Sequence, residues 1–527
     1  MTLIVMGRRR GGFGSVGAPP TLPIVLRRLD GSTSGSMVYV DGIPLQVGQI
    51  GSLANVSVTR NSDNVELACD PSTVGIHPNG DPLVLRLRVE VASATSQDIA
   101  CTLHFNRTRT NTLTTGATEM AFPTTITAAN RFTVAYTTGM IACTDANHLC
   151  RSDLLPWLTP AGNGVLTTNA SNAYTLLADG EPVWRANYGV AGPASYYDRP
   201  GGLMRLHHVT GNVDWKERAL RYYGWHLRNT FDPSYDGTHW PLPEWNNFDD
   251  SLALAILLWN HGQARTRGYE YWFKASAGVC DNFSFRWNEA DTYNDNDGGN
   301  GPTSFRLRSR YLTLHTWWKR MNLAPSTLYN SQTATYWGQQ WLTRIMQTFN
   351  GWDWSGTSGR VVTQFAGPGN VGTVEAMIMF HAGMLAESLA FYHTYHTALT
   401  GTQLARVWAM QAYMRTQSYT PSGGSPRLYY ADQAFYSAGS DVPKEVDLFL
   451  DMMCAPGMAW EWRQTGNTAA RDFVTQTLAT MNATPQNGVV GPPITNGSFS
   501  PGSVGQKIYD ETLRYTYQAV GLLYPRV

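Results

Sequence analysis

The spacing of apolar residues changes once along the chain and divides it into two parts. From about residue 30 to 185, apolar and polar residues alternate, as in LRLRVEV at residues 85–91. A period of two is typical of a strand with one buried face. MVYVDGIPLQV is interpreted as a hairpin that turns at Asp41-Gly42, and RFTVAYTT and DGEPVW as further strands. This part is predicted to form an antiparallel, β-sandwich-like domain.

After about residue 190 the apolar residues follow a helical period, and one kind of turn recurs. A Thr-Gly pair separates two helical segments at Thr210-Gly211-Asn212, Thr400-Gly401-Thr402 and Thr465-Gly466-Asn467, with His261-Gly262 as a weaker copy. Glycine after a helix acts as a C-cap because it adopts positive φ without strain. Helical hairpins repeated at such intervals indicate an array of αα units.

The other connections between the predicted helices are long and rich in Gly, Pro, Asp, Asn and aromatic residues. They are residues 230–248, 281–301, 350–369, 418–442 and 484–503. Alternate connections of an αα array lie on opposite faces, so these long loops are predicted to share one face. Long loops in compact domains usually carry function. The residues expected to line one cleft there are His239, Glu244, Tyr293, Trp354 and Tyr430.

Composition narrows the class of ligand. The chain has 527 residues with 39 Lys plus Arg and 39 Asp plus Glu, so its net charge is zero. A nucleic-acid-binding protein is expected to carry a basic excess, and no segment reaches the ~20 apolar residues of a membrane span. The 18 Trp, 26 Tyr and 18 Phe supply flat faces that suit sugar rings. A polysaccharide partner is therefore favoured, with no nucleic acid and no membrane span.

The two helix–turn–helix segments LMRLHHVTGN and MAWEWRQTGNTAARDF resemble the T-G-[DN] turns of the (α/α)-toroid carbohydrate-active enzymes. That group includes six-hairpin glycosidases and toroid polysaccharide lyases. The resemblance covers roughly residues 190 to 527 and lies in structural turns, not in a catalytic signature. It implies that residues 189–527 form an (α/α) toroid of helical hairpins, the catalytic domain. With the β-sandwich-like domain at 30–188 and a flexible basic arm at residues 1–29, which the sequence pattern and composition predict, the chain is expected to be a β + α multidomain protein.

The resemblance to the lyases in that group implies β-elimination from a uronate-containing polysaccharide. Such an enzyme neutralises the uronate carboxylate, removes the adjacent proton with a base and protonates the leaving oxygen with an acid. The candidate catalytic residues are His239, Tyr293, Asn246, Arg306 and Glu244. The candidate substrate-binding residues are Trp240, Trp245, Asn247, Trp287, Arg310 and Tyr430.

Side-chain chemistry suggests a role for each kind of candidate. His239 would serve as the base, and Tyr293 as base or acid. Asn246 would hold the carboxylate of the substrate. Arg306 and Arg310 are four residues apart on one predicted helix face and could bind a carboxylate by a planar fork. The tryptophans would stack on sugar rings.

Two alternatives remain open at this stage. An inverting glycoside hydrolase on the same scaffold needs two carboxylates on either side of the scissile bond. The available carboxylates include Glu244, Asp249, Asp250, Glu289 and Asp291, and nothing singles out one pair. The other alternative is a non-catalytic glycan-binding protein of a virion tail or surface.

Several candidates also have a structural interpretation. Asp249 and Asp250 open a predicted helix, and at least one of them is expected to act as its N-cap. The helical histidines expected to be packing residues are His207, His208 and His315. No cofactor is expected. A structural Ca2+ near Asp295 or Asp297 is the weaker alternative, because NDNDGGN misses the register of a calcium loop.

The N-terminal sequence and the cysteines are the features that relate to where the protein is located. The short apolar run in MTLIVMGRRRGGFGSVGAPPTLP precedes the arginines, unlike a secretory signal. The basic Gly/Pro-rich arm resembles, in composition, the anchoring segments of phage tail proteins, and could tether the chain to a partner. A virion or extracellular location is favoured, as for a phage-borne depolymerase, and an intracellular enzyme acting on imported oligosaccharides remains open. None of the six cysteines forms a C-x-x-C pair, and a disulfide between Cys143 and Cys150 has no motif to support it.

Overall fold

Antiparallel sheets are followed along the chain by packed helices. The computed structural model describes residues 18–29, 35–92, 98–113, 139–186, 198–220, 249–258, 294–295, 305–322, 339, 342–343, 359–361, 363–366, 373–419, 427–429, 431–432, 448–481 and 504–524. Within these residues the order of sheets and helices agrees with the mixed β + α class that the change in sequence period predicts.

The described residues of the first part of the chain form two antiparallel sheets. Their strands are β1 (Thr21–Arg28), β2 (Met37–Pro44), β3 (Ser57–Arg60), β4 (Glu66–Leu67), β5 (Cys69–Ile76), β6 (Pro82–Val91), β7 (Asp98–His104) and β8 (Gly139–Cys143). One sheet has the order β4-β3-β7-β1-β8 and the other β2-β6-β5. Ile24 of β1, Tyr39 of β2, Leu87 of β6 and Leu103 of β7 belong to one buried cluster, so the two sheets share a core.

Strand β6 shows how the alternating pattern becomes structure. Leu85, Leu87 and Val89 are fully buried, whereas the intervening Arg88 and Glu90 are half-buried. The strand predicted over this segment is therefore confirmed. At its beginning, Leu83 and Val84 join the core of the helical part.

Three assignments made from the sequence in this part are wrong. Residues 21–28, placed in the flexible arm, form β1, because β7 and β8 pair with both of its edges. Asp41-Gly42 is not a hairpin turn but lies inside β2. DGEPVW is not a strand but part of the helix Thr168–Ala186, which packs on other helices through Tyr174 and Leu177.

Asp41-Gly42 stays extended for a tertiary reason. The Asp41 carboxylate accepts hydrogen bonds from the backbone N–H groups of Gly42 and Ile141, at 2.7 and 3.0 Å. It also pairs with the ammonium group of Lys216 at 2.7 Å. Glycine at 42 leaves room for a helix, since a Cβ there would lie 2.8 Å from the backbone oxygen of Leu257.

Ten helices with defined bounds occur in the described part of the chain. They are α1 (Ala146–Arg151), α2 (Thr168–Ala186), α3 (Arg199–Thr210), α4 (Asp249–Leu258), α5 (Phe305–Met321), α6 (Met379–Tyr395), α7 (Gly401–Thr416), α8 (Leu448–Thr465), α9 (Thr468–Met481) and α10 (Val504–Leu523). Residues 213–220 are also helical. These helices include long runs with little polar character, such as α6, which is buried on nearly every side.

Six of the helices contact one another in a closed order. Helix α3 contacts α4, α4 contacts α5, α5 contacts α6, α6 contacts α8, α8 contacts α10, and α10 contacts α3. We call α3, α4, α5, α6, α8 and α10 the helical ring. Helices α2, α7 and α9 pack against its members. Gly383 of α6 and Gly457 of α8 allow two ring helices to approach closely, because a Cβ on either would lie 2.6 Å from an atom of the other helix.

The ring helices end on the side of the β-rich part. Gly211, after α3, lies against the backbone of Thr144. Tyr395 at the end of α6 donates a hydrogen bond to Asp153 at 2.5 Å. Thr159 donates one to the backbone oxygen of Tyr524, after α10, at 2.6 Å. The N-terminal ends of the ring helices therefore lie on the opposite side, which we call the mouth of the ring.

The Thr-Gly turns have two different geometries. Gly211 has φ of 69° after α3 and Gly466 has φ of 74° after α8, so both are the helix-ending glycines that the sequence predicts. Gly401 is not a C-cap. It is the first residue of α7, and Thr400 before it forms a capping box with Gln403.

In the described residues, short strands lie between some of the helices. Strands β9 (Asn294–Asp295), β10 (Thr363–Ala366) and β11 (Thr373–Ala376) form one small sheet, and β12 (Ser418–Tyr419) pairs with β13 (Arg427–Leu428). No helix of the described residues is long and apolar enough to cross a membrane. Cys143 and Cys150 are free thiols, so the disulfide considered between them is absent.

Candidate active site inside the helical ring

A buried carboxylate joins four helices of the ring. Asp250, in the first turn of α4, accepts a hydrogen bond on Oδ1 from the indole N–H of Trp317 on α5, at 2.6 Å. Its Oδ2 accepts one from Nη2 of Arg205 on α3, at 2.5 Å. Nη2 of Arg514 on α10 lies 3.8 Å from the same oxygen. Side chains from α3, α4, α5 and α10 thus converge on one acid.

The surroundings of Asp250 keep it ionised. Burial alone would raise the pKa of this carboxyl. The charges of Arg205 and Arg514, with the hydrogen bonds from Arg205 and Trp317, outweigh burial and lower the pKa to about 2. Both oxygens already accept hydrogen bonds from buried donors, so the carboxylate is held rigidly in one orientation.

A second acid lies near the same arginines. Glu387 of α6 accepts a hydrogen bond on Oε1 from the side-chain amide of Gln518 on α10, at 3.1 Å. Burial raises the pKa of Glu387, against the opposing effect of the charge of Arg514. We call Arg205, Asp250, Glu387 and Arg514 the ring-interior cluster.

The arginines of the ring-interior cluster have more hydrogen-bond donors than the described residues satisfy. Within the described part of the chain, Nε and Nη1 of Arg205, Nε and Nη1 of Arg514, and Oε1 of Gln518 are buried without a hydrogen-bond partner. Arg205 is 0% exposed and Arg514 2%. Buried donors of this kind are usually paired, so the cluster can bind an acceptor group.

A short segment crosses the mouth of the ring between α6 and α8. We call residues 427–432, of which Tyr430 lies outside the description, the mouth segment. Arg427 and the backbone N–H of Leu428 donate hydrogen bonds to Asp451, in the first turn of α8. The N–H of Asp432 donates to the backbone oxygen of Met377, just before α6, at 3.0 Å.

Charged groups anchor this segment at both ends. Arg360 donates a hydrogen bond to Oδ2 of Asp432 at 2.6 Å. Burial raises the pKa of Asp451 to about 6, although the charge and hydrogen bond of Arg427 lower it. Tyr419 and Tyr429, both half-buried, stack with ring centroids 4.8 Å apart. The mouth is thus held in a defined shape on the side of α6 and α8.

The opposite end of the ring is covered. Arg320, near the end of α5, donates to the backbone oxygens of Leu154 and Asp153, at 2.8 and 2.7 Å. Its guanidinium lies over the ring of Trp317 at 4.7 Å and over that of Tyr395 at 4.3 Å. The segment before α2 therefore packs under the C-terminal ends of α5 and α6.

The site residues predicted from the sequence fall outside these described contacts. The residues outside the described part of the chain are His239, Trp240, Glu244, Trp245, Asn246, Asn247, Trp287, Tyr293, Asp297, Trp354 and Tyr430. Arg306 and Arg310 lie one helical turn apart on α5, and Asp295 lies in β9, but their side chains are outside the description. Their roles remain predictions.

Sequence reasoning named Asp250 but missed its partners. Asp250 was one of two possible N-caps and one of several candidate hydrolase carboxylates, and in the structure its two oxygens bind Trp317 and Arg205 on other helices. Arg205, Glu387 and Arg514 were not predicted as site residues. The signal that could have found them is a single charged residue in a mostly apolar helical segment, such as MLAESLA around Glu387.

The helical histidines have the packing role that the sequence predicts. His207, His208 and His315 are each at most 2% exposed. Burial lowers the pKa of His208 and of His315 to about 3. No group of three His, Cys, Asp or Glu in the described part of the chain could hold a metal ion.

No protein-family model matches the chain, and no curated protein matches it. Solved structures of low similarity do exist. One is an inactive variant of an alpha-1,6-mannanase of Salegentibacter sp. in complex with alpha-1,6-mannotetrose, with a TM-score of 0.43 and 9% identity over 66% of this chain and 99% of that chain.

Two further solved structures are similar to a comparable extent. A polysaccharide lyase has a TM-score of 0.41 and 10% identity over 68% of this chain and 99% of that chain. A glycosyl hydrolase of family 88 from Bacteroides vulgatus has a TM-score of 0.38 and 12% identity over 66% of this chain and 99% of that chain.

Proposed function

We propose that this chain is an enzyme that cleaves an acidic polysaccharide, and that its residues 189–527 form an (α/α) toroid behind a β-sandwich-like domain. The observation that carries the proposal is the closed helical ring with an ionised, arginine-bound carboxylate in its interior. A charged interior is costly in a helical bundle that serves packing alone. It is expected where the interior binds a polar ligand.

The chain itself links the predicted sugar-binding loop to the ring-interior cluster. Asn246 and Asn247 precede Asp250 by four and three residues. Consecutive Cα atoms are about 3.8 Å apart, so Asn246 lies at most roughly 15 Å from Asp250. Since the opposite end of the ring is covered, we expect substrate to approach from the mouth, where this loop joins α4.

The reaction we propose is β-elimination. Asn246 and Asn247 would bind the uronate carboxylate, which makes the neighbouring C–H more acidic. His239 would remove that proton, and Tyr293 would protonate the leaving oxygen. Trp240 would stack on a sugar ring. Arg306 and Arg310 would contribute a further planar contact to a carboxylate.

Hydrolysis with inversion is the second candidate, and one observation favours it. Asp249 and Asp250 are adjacent at the start of α4, and Asp250 is an ionised carboxylate in the ring interior. An inverting hydrolase needs one ionised carboxylate and one acid, separated widely enough to admit a water. In this reaction Asp249 or Glu244 would supply the second group.

One experiment separates these reactions. The purified chain is incubated with a panel of acidic and neutral polysaccharides, and two products are measured: the ultraviolet absorbance of an unsaturated uronate, and new reducing ends. We expect both to rise on an acidic polysaccharide. Reducing ends without the absorbance would establish hydrolysis instead. Neither signal on any member of a broad panel would favour a glycan-binding protein.

His239→Ala tests the catalytic assignment in the same assay. Loss of a proton-transfer group is expected to slow turnover by about 10²–10⁴-fold. The melting temperature should stay nearly unchanged. Gln417→Ala is a suitable control, because its half-buried side chain donates a hydrogen bond to the neighbouring Thr416 and none to the ring-interior cluster. A fully active His239→Ala variant would contradict the assignment.

The biological setting is part of the proposal. The basic residues 1–17 would attach the enzyme to a partner, as in a virion-associated depolymerase. Deleting residues 1–17, which precede β1, should leave cleavage intact and abolish co-purification with that partner. No metal or other cofactor is proposed, and dialysis against a chelator should leave activity unchanged.

A further inference from the structure

We propose that Arg514 and Arg205 form a binding site for the carboxylate of an acidic sugar inside the helical ring. This inference rests on the proposed function, because it identifies residues, besides Asn246 and Asn247, that would recognise an acidic group of the substrate. It assigns recognition to α3 and α10, whereas the sequence pointed only to asparagines in the loop before α4 and to arginines on α5.

The first argument is geometric. The guanidinium groups of both arginines face one atom, Oδ2 of Asp250, at 2.5 Å for Arg205 and 3.8 Å for Arg514. The two Nη2 atoms are therefore no farther apart than the sum of these distances. Arg514 is too far from Asp250 for a hydrogen bond of ordinary length. The positive charge of Arg514 is attracted to Asp250, but its N–H groups remain available as donors to another acceptor.

The second argument concerns the number of hydrogen bonds. A guanidinium offers five N–H donors and no acceptor. In the described part of the chain, Nε and Nη1 of each arginine are buried and have no acceptor. An anion with two oxygens can accept several of these bonds at once, and charge-assisted bonds of this kind are the strong ones.

The third argument is that the nearby carboxylates are already engaged. Asp250 accepts from Trp317 and Arg205, and Glu387 accepts from Gln518. The carboxylate of Asp198 accepts from the backbone N–H of Gly201 at the start of α3. None of these acids is hydrogen-bonded to the four remaining arginine nitrogens in the described structure. An added carboxylate would therefore complete the hydrogen bonding.

The test measures binding separately from cleavage. Calorimetric affinities are compared for a trimer of galacturonate and for the matching neutral trimer of galactose, with acetate as a small carboxylate probe. For the unmodified chain we expect the uronate trimer to bind more tightly than either of the other two. Equal binding of acetate and the uronate trimer would overturn a sugar-acid site.

Arg514→Gln is the decisive variant. It should weaken uronate binding by about 10- to 100-fold, the usual effect of losing hydrogen bonds to a charged group. Binding of the neutral trimer should change little. Arg415→Gln is the matched control, because Arg415 is ion-paired with Glu461 outside the cluster. If Arg514→Gln does not fold, Arg514→Lys keeps the charge without the planar fork, and should still weaken uronate binding.

Two outcomes distinguish this inference from the proposed function. If the chain cleaves a polysaccharide, but Arg514→Gln and Arg514→Lys bind uronate as tightly as the unmodified chain does, the enzymatic proposal holds and this site is wrong. The arginines would then be hydrogen-bonded to ordered water. If uronate binding depends on Arg514 but the chain cleaves no polysaccharide, the site is supported and the enzymatic proposal is wrong.

Discussion

At the scale of single residues, ionisable groups are buried where partners compensate the cost. Asp250 is held by Trp317 and Arg205, and its pKa stays at about 2 despite burial. Among the described residues, Asp451 accepts hydrogen bonds from Arg427 and from one backbone N–H, and burial raises its pKa to about 6. The number and charge of the donors around each acid thus decide the balance between desolvation and attraction.

Asp250→Asn should strongly destabilise the fold. The substitution removes the charge that compensates the buried Arg205 and Arg514, and breaking a buried pair from one side costs about 3–5 kcal/mol. Loss of a helix cap would cost only about 1 kcal/mol. Urea unfolding measures the difference.

Asp472→Asn is the control for this prediction, because the pair of Asp472 with Arg471 is exposed. Its free energy of unfolding should be nearly that of the unmodified chain. A loss in Asp250→Asn no larger than that of a helix cap would contradict the buried-pair interpretation.

His315 should make the fold sensitive to acid. Burial lowers its pKa to about 3, from an ordinary value of 6.5. Above pH 6.5 the imidazole is neutral in both states. As the pH falls below 6.5 the unfolded chain takes up a proton that the folded chain excludes, so this histidine lowers the free energy of unfolding by about 1.4 kcal/mol per pH unit.

The comparison that isolates this effect is His315→Leu against the unmodified chain, with the free energy of unfolding measured from pH 7 to pH 4.5. The variant should lose less stability on acidification. Buried acids such as Asp451 contribute the opposite slope in both proteins, so they cancel in the difference. Parallel curves for the two proteins would show that His315 titrates normally.

At the scale of elements, the ring depends on close packing between helices as much as on their apolar faces. Gly383 of α6 faces Cys454 of α8, and Gly457 of α8 faces Ala386 of α6. Without side chains at these two positions the backbones can approach. One turn after Gly383 on α6, Glu387 accepts a hydrogen bond from Gln518 of α10.

Gly383→Ala should therefore destabilise the chain, although alanine favours helices over glycine by up to about 1 kcal/mol. Its Cβ would lie 2.6 Å from Sγ and 2.7 Å from Cα of Cys454, so the helices must separate. Overpacking of this kind costs about 1–3 kcal/mol. Gly401→Ala, at the start of α7 with nothing within 4 Å, should be neutral or stabilising. Thermal unfolding of both variants checks the contrast.

At the scale of the whole molecule, residues of the β-rich part and of the helical ring belong to one buried cluster. Leu83 and Val84 of β6 and Met140 of β8 belong to the same buried cluster as the ring helices. Arg27 of β1 pairs with Asp214 and with Glu217 of the helical residues that follow α3. We therefore expect the two parts to unfold together.

Lys216→Met should lower the temperature of a single, common unfolding transition. Lys216 compensates Asp41 inside β2, and burial raises the pKa of that acid. Removing the ammonium group leaves a buried carboxyl without its cation, at a cost of about 3–5 kcal/mol. Scanning calorimetry shows the transition. Arg60→Gln, which breaks an exposed pair with Asp63, is the control and should not shift it. Two separate transitions would show that the parts unfold independently.

Some features of this protein follow from short stretches of sequence alone. The alternation of residues 85–91 predicts β6, and the Thr-Gly turns at Gly211 and Gly466 predict the ends of α3 and α8. The apolar context of His208 and His315 predicts their burial. Each depends on a repeating period or on one backbone conformation that glycine adopts readily, so a few consecutive residues contain the information. The change from period two to a helical period likewise predicts the order of sheets and helices.

Other features were decided only in the tertiary structure, because their partners are distant in sequence. Asp41-Gly42 has the composition of a turn, yet contacts with Ile141, Lys216 and α4 keep it in a strand. DGEPVW became helical because α2 packs on α9 and α10. By its position at the start of a helix, Asp250 is a candidate N-cap. In the structure its partners are Arg205, 45 residues away, and Trp317, 67 residues away. Local sequence does not specify which helices meet around a charge, since that depends on how the ring closes.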